Sequence, residues 1–288
     1  MTMIGRAVHA PVALLGQPVE PLVDWATGIL KSREIEVTGA ASLTRRRAWS
    51  LLVRIPTESG PMWAKANARA FAHEGPLLRL LARLRPGSVL EPLAVQEDHG
   101  WLLSPHGGDT APDTDAEWSG LLRSYADLQQ FLAPHIDDLI ATGTPYLPPS
   151  RLGTVYRHFE PRVPGLGHRI EEAAAELAAY GRLSLEHNDV HTGNVFAGAT
   201  PGTGRLFDWG DAVITHPFLS HRILHHPHRA AYFEHWRRVE PVSDTEIALA
   251  ERLAPLIALH PWRTIDTSIP RFARFVEELL DELRATFR

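Results

Sequence analysis

Cysteine is absent from the 288 residues. A disulfide frame and thiolate chemistry are therefore excluded. Long apolar runs are missing too. No stretch approaches the ~20 residues that span a bilayer, and Ala13, Leu14 and Leu15 are too few for the core of a signal peptide. Charge of one sign is in only slight excess, with a net of −5, so neither nucleic acid nor an anionic membrane is called for as a partner. The expectation is a cytoplasmic protein, monomeric or homodimeric, that acts on a small molecule. What the chain does have is apolar content, 44%, enough for one large domain or two lobes with separate cores.

The densest chemistry lies in Leu185–Asp211, LEHNDVHTGNVFAGATPGTGRLFDWGD. Asp189 and Asn194 are five apart (194 − 189), and Asp208 follows Asn194 by fourteen (208 − 194). Between them the pattern predicts a hairpin, with Val195-Phe196 and Leu206-Phe207 as strands around a Gly/Pro-rich turn. Such a turn returns Asp208 toward Asn194. Two carboxylates and an amide oxygen suit phosphoryl transfer: Asn194 and Asp208 offer hard oxygens to Mg2+, and Asp189 is free to orient an acceptor hydroxyl and take its proton. The plainer alternative is a polar loop of caps and Asx-turns. His187 reads as a brace of this loop, His191 as a neighbour of the site, and Asp211 as a weaker metal ligand than Asp208.

HNDVHTGNV followed by LFDWGDA resembles the catalytic loop and metal-binding segment of the aminoglycoside phosphotransferase family. Those small-molecule kinases share the protein-kinase-like fold with choline and homoserine kinases. The resemblance implies an α+β, two-lobed fold, with a small, mostly antiparallel β N-terminal lobe and a larger helical C-terminal lobe. Residues 1–104 are expected to form the nucleotide-binding lobe, 105–109 the hinge, and 110–288 the helical lobe with the catalytic loop and acceptor site. The implied donor is ATP or GTP, with Mg2+. Asn188 departs from the Gly most often found there, and the last motif reads Asp-Trp-Gly-Asp; neither change removes a catalytic group.

The N-terminal half is consistent with that resemblance. A short helix is possible around Trp25, Ile29 and Leu30. Ile35–Val37, Trp49–Ile55 and Met62–Ala66 read as strands, with Gly60-Pro61 as a turn. The LTRRRAWS turn contains no glycine; Arg45, Arg46, Arg47 and Ser50 either contact phosphate or form a solvated basic loop. Lys65 lies among apolar strand residues, and Glu74 follows nine later (74 − 65) at the start of a leucine-rich helix. A strand lysine paired with a glutamate on the next helix is how kinases hold the α- and β-phosphates, although strand lysines commonly face water. Val89–Val95 and Trp101–Leu103 read as further strands. Ser104–Asp109, SPHGGD, is the hinge, which places Ser104 and His106 beside the nucleotide.

Beyond it, Thr114-x-x-Glu117 is a capping box opening a helix, residues 141–167 resist assignment, and Ile170–Tyr180 reads as a helix. Ser243-x-x-Glu246 caps another helix, and the last follows Pro270. Six histidines lie between His216 and His235, but their spacing matches no closed structural zinc site. The aromatic, basic segment His225–Arg238, if it lines the acceptor pocket, favours a weakly cationic or anionic acceptor. Acidic candidates for a polycation site are Asp113, Asp115, Glu117, Asp137, Asp138, Asp266, Glu277 and Glu278, most of them suited to exposed helix faces. The expected acceptor is a hydroxylated small molecule, first an antibiotic (resistance or self-resistance), second a metabolite of choline, homoserine or sugar type. A protein kinase and a catalytically inactive nucleotide-binding module rank lower.

Overall fold

Alternating apolar residues create the first sheet. In β2 (Ser50–Ile55), Leu51, Val53 and Ile55 are buried and the side chains between them less so, the period of a strand with one covered face. A computed structural model describes residues 13–108, 112, 114–198, 200, 203–265 and 270–287. The chain divides into two compact units, Met1–Gly108 with Asp208–Gly210, and Asp109–Phe207 with Asp211–Arg288.

The smaller unit begins with α1 (Glu20–Ser32), whose Leu22, Ala26 and Leu30 are buried at helical spacing. Its sheet consists of β1 (Ser42–Arg46), β2, β3 (Met62–Asn67), β4 (Ala94–Gln96) and β5 (Trp101–Pro105), in the order β1-β2-β3-β5-β4, antiparallel throughout. The central strand β3 is buried along almost its whole length. Between β3 and β4 runs α2 (Glu74–Leu84), with Leu77, Leu78 and Leu81 buried.

Three expectations fail here, in whole or in part. The first half of the arginine-rich segment is not turn but the edge strand β1, with a register shift between Leu43 and Arg45, and only residues 47–49 turn the chain into β2. It is largely exposed, so it carries no apolar alternation, and charged side chains are a common feature of sheet edges. Ile35–Val37 contributes only an isolated bridge, Val37 to Thr57. The first half of Val89–Val95 is likewise not strand, and Pro92 within it has no amide N–H to donate.

The larger unit opens with α3 (Asp115–Leu132), and both reciprocal bonds of the Thr114–Glu117 capping box are made. Then come α4 (Ile136–Ala141), α5 (Leu152–Phe159), α6 (Gly167–Ala178), β6 (Ser184–Glu186), β7 (Val195–Phe196), β8 (Arg205–Leu206), β9 (Val213–Thr215), α7 (His221–Leu224), α8 (Arg229–Val239), α9 (Asp244–Leu259) and α10 (Pro270–Thr286). Strands pair antiparallel as β6 with β9 and β7 with β8. The segment that resisted assignment thus holds α5, entered through Pro148 and Pro149. The aromatics of α8 pack inward: Tyr232, Phe233 and Trp236 are buried, with Phe218 edge-on to Phe233 and Trp236 at 5.3 Å. Asp109, Asp113 and Asp266 lie outside the described residues, and Asp115 is exposed.

Gly75 sets how closely α2 approaches β4, because a Cβ there would sit 2.6 Å from Val95 Cγ1. Gly75→Ala gains up to ~1 kcal/mol of helix propensity but overpacks against a stiff β-branched side chain, at about 1–3 kcal/mol. The net expectation is a lower urea midpoint, read by circular dichroism.

Candidate functional site

The smaller unit holds a buried charge cluster. Side chains two apart on a strand share a face, so β3 directs Lys65 and Asn67 to the same side. Both meet one oxygen of Glu74, at the start of α2: Lys65 Nζ donates to Oε2 at 2.6 Å and Asn67 Nδ2 at 2.7 Å. Lys65 Nζ also donates to Asp208 Oδ1 at 2.5 Å, and Arg45 Nη2 to Asp208 Oδ2 at 3.3 Å. Burial works against the lysine charge, but the carboxylates of Asp208 and Glu74 outweigh it and hold the ammonium above its ordinary pKa. Lys65 is therefore a fixed cation. Buried ion pairs are weak sources of stability, since desolvation consumes most of the attraction; such a cluster is better explained by what it can bind.

The remaining residues proposed for the nucleotide sit apart from those bonds. Ser50 begins β2, 1% exposed, with its hydroxyl unpartnered. Ser104 is buried in β5, while His106 is exposed and accepts from Trp63 Nε1 through Nδ1 at 3.3 Å. Arg46 is turned to backbone carbonyls, donating to Gln17 O at 2.7 Å.

The larger unit carries the loop between β6 and β7. Asn188 has φ +65°, the left-handed region that Gly adopts freely and Asn tolerates. Its Nδ2 donates to Ile257 O at 3.0 Å. His187 is fully buried, donates from Nε2 to Phe207 O at 2.9 Å and accepts from the Asp189 amide through Nδ1 at 3.3 Å. Both ring nitrogens therefore brace the loop.

Asp189 is held from three sides. His191 Nε2 donates to Oδ2 at 3.2 Å and Asn194 Nδ2 to the same oxygen at 2.9 Å. Arg222, on α7, places Nε and Nη2 on Oδ1 at 3.2 and 3.1 Å. Burial would raise its pKa, but the hydrogen bond and charge of His191, with Arg222 behind them, hold it below the ordinary value. Asp189 is therefore ionised at neutral pH. Because Asn194 spends its nitrogen on Asp189, its Oδ1 is the atom left to coordinate. The hairpin is formed: Phe207 N donates to Asn194 O at 2.9 Å, and Asp208 is the next residue, at φ +62°.

Sequence reasoning missed Asn67 and Arg222. Asn67 was within reach, two residues along the strand from Lys65. Arg222 lies 33 positions beyond Asp189 and no local pattern marks it. Glu186 was also passed over. It is fully buried and accepts from Tyr125 Oη at 3.0 Å, Gln129 Nε2 at 3.1 Å and Asn188 N at 2.9 Å.

A strand lysine braced by a helix glutamate, and a loop aspartate braced by an asparagine five residues on, are the parts of a small-molecule kinase on the protein-kinase-like fold. Residues 37–219 match the model described as "Phosphotransferase enzyme family", and the chain belongs to that family. No curated protein matches it significantly. Among solved structures it is similar to APH(2")-IIia in its GDP and kanamycin complex, with 13% identity, TM-score 0.64, and coverage of 91% of this chain and 99% of that one. It is also similar to a macrolide 2'-phosphotransferase type I, with 16% identity, TM-score 0.58 and coverage of 92% and 96%. The choline kinase LicA from Streptococcus pneumoniae gives 14% identity, TM-score 0.59 and coverage of 93% and 99%. At these identities the likeness concerns the fold. No helix among the described residues is long and apolar enough to cross a membrane.

Burial pushes the Glu186 carboxyl up to about 7, against the hydrogen bonds donated by the Asn188 amide, Tyr125 and Gln129. The folded state thus holds a proton that the unfolded state gives up at lower pH. The stability from this group is present in acid and is lost as pH rises through about 7. In Glu186→Gln the new amide must face one of three donors, costing about 1–3 kcal/mol. The wild type's advantage over this variant, measured by urea denaturation, is expected to shrink between about pH 5 and about pH 8.

Proposed function

We propose that the protein transfers the γ-phosphoryl group of ATP or GTP to a hydroxyl of a small molecule, an antibiotic first among the candidates. The observation that carries this reading is the buried Lys65 ammonium shared between Glu74 and Asp208, a permanent cation with no other evident use. Lys65 neutralises the α- and β-phosphates, and Glu74 with Asn67 keeps it aimed. Backbone and side-chain groups around Ser104 and His106 take the base, and Ser50 lies under the phosphates. Arg45 adds positive charge beside Asp208.

The donor set fits magnesium. Asn194 Oδ1 and the Asp208 carboxylate are hard oxygens, the kind this ion prefers alongside phosphate. Asn194 and Asp208 would be the residues to hold the ion, and its charge would offset the charge that develops on the phosphate oxygens. Asp189 orients the acceptor hydroxyl and receives its proton as that oxygen bonds to phosphorus and the nucleoside diphosphate leaves. The rest is positioning and charge.

Arg222 narrows the acceptor. A guanidinium 3.1 Å from Asp189 repels a second positive charge near the reacting hydroxyl. That disfavours polycationic aminoglycosides and choline, and supports weakly cationic, neutral or anionic compounds, macrolide-like antibiotics among them. The same observation keeps a neutral or anionic hydroxylated metabolite, of sugar type, as the second reading.

Incubation of an antibiotic and metabolite panel with ATP or GTP and Mg2+ is expected to add one phosphoryl group to at least one compound, seen by mass spectrometry. Asp189→Asn should lower turnover about 10²–10⁴-fold while nucleotide affinity, measured by calorimetry, stays near wild type. Full activity in that variant would end the assignment of Asp189. Arg222→Gln is expected to raise turnover of polycationic acceptors relative to neutral ones; equal handling of both by the wild type would remove the charge argument.

A further inference from the structure

Most of the histidines between 216 and 235 have settled partners. His216 is buried, accepts from Phe218 N at 3.2 Å, and donates to Glu246 Oε1 at 3.1 Å. His226 Nδ1 accepts from His228 N at 3.1 Å. His228 and His235 lie 3.3 and 3.9 Å from Asp115 and Asp127. His221 and His225 differ, because they share a single carboxylate. His221 Nε2 is 2.8 Å from Glu282 Oε2, and His225 Nε2 is 3.5 Å from Oε1 of the same group. The two rings lie 4.5 Å apart between centroids, as an i, i+4 spacing across α7 and its end allows. One ligand atom from each of the three residues falls within 4.8 Å of the others.

The tautomer of His225 sharpens the point. Its Nδ1 is 2.9 Å from the His221 carbonyl oxygen, which only accepts, so Nδ1 carries a proton. With Nδ1 committed to that carbonyl, Nε2 is the atom that faces the Glu282 carboxylate, and either a second ring proton or a metal cation can bridge the two. A ring N–H given to a backbone carbonyl, with the other nitrogen free, is also how metal-bound imidazoles are oriented. Two imidazoles and one carboxylate suit a borderline ion rather than magnesium or calcium, and leave a position for water.

We propose that His221, His225 and Glu282 bind one divalent transition-metal ion of the zinc class, clasping α7 to α10. This does not depend on the kinase reading. Because α7 also carries Arg222, the ion would stiffen the short helix that grips Asp189.

The test uses the full chain without a purification tag, stripped with chelator and titrated with Co2+ in excess Mg2+. Expected are one equivalent bound, with a visible ligand-field band, displacement of that band by Zn2+, and loss of about 10–100-fold or more in affinity for Glu282→Gln and His225→Gln. The His225 side chain is 59% exposed, so its replacement leaves the fold intact, verified by circular dichroism. Absence of stoichiometric binding by the wild type overturns the proposal, as does binding that both folded variants retain.

Discussion

The arrangement rests on one ammonium group. Lys65 lies in the middle of a sheet where apolar neighbours exclude water, and it keeps its charge only because Glu74 and Asp208 supply two carboxylates within 2.6 Å. Remove that constraint and much of the smaller unit loses its reason. The close approach of α2 at Gly75, the placement of Glu74 in its first turn and the return of Asp208–Gly210 to this unit all serve to bring negative charge to Nζ. A surface pair of the same kind would be worth ~0–1 kcal/mol. Here the geometry is specific and the stability gain slight, the balance expected of a group kept for binding.

The loop between β6 and β7 in the larger unit follows the same logic with opposite sign. Asp189 stays ionised because donors surround it, and each donor is itself held. Asn194 is fixed by the hairpin and His191 by the Gly193 amide at 2.9 Å. Arg222 lies across Phe275, 5.5 Å from its ring centroid. Beneath them, Glu186 ties Tyr125 and Gln129 of α3 to the backbone of Asn188, so the loop is anchored by a network rather than by packing alone.

Local spacing made part of this legible. The nine-residue step from Lys65 to Glu74 and the five-residue step from Asp189 to Asn194 survive because each spans one short connection between neighbouring elements. The Thr114–Glu117 box could be read for the same reason. The Ser243 cap holds too, accepting from the Glu246 amide at 3.1 Å, although the Glu246 side chain goes to Arg182 Nε at 2.5 Å and to His216 instead of back to the cap. A half-buried arginine and a buried histidine outcompete a terminal amide. Contacts made across long separations left no trace, as with Arg222 on Asp189 or Glu282 beside His221 and His225. Edge strand β1 was hidden because its polar face mimics a loop.

The left-handed backbone of Asp208 bears on how its proposed part in ion binding should be probed. Alanine at φ +62° adds about 1–2 kcal/mol of steric cost to the loss of the carboxylate, so an Ala variant would mix lost stability with lost charge. Asparagine occupies the same backbone geometry with little penalty and deletes only the charge, which makes it the cleaner replacement for isolating what that charge does.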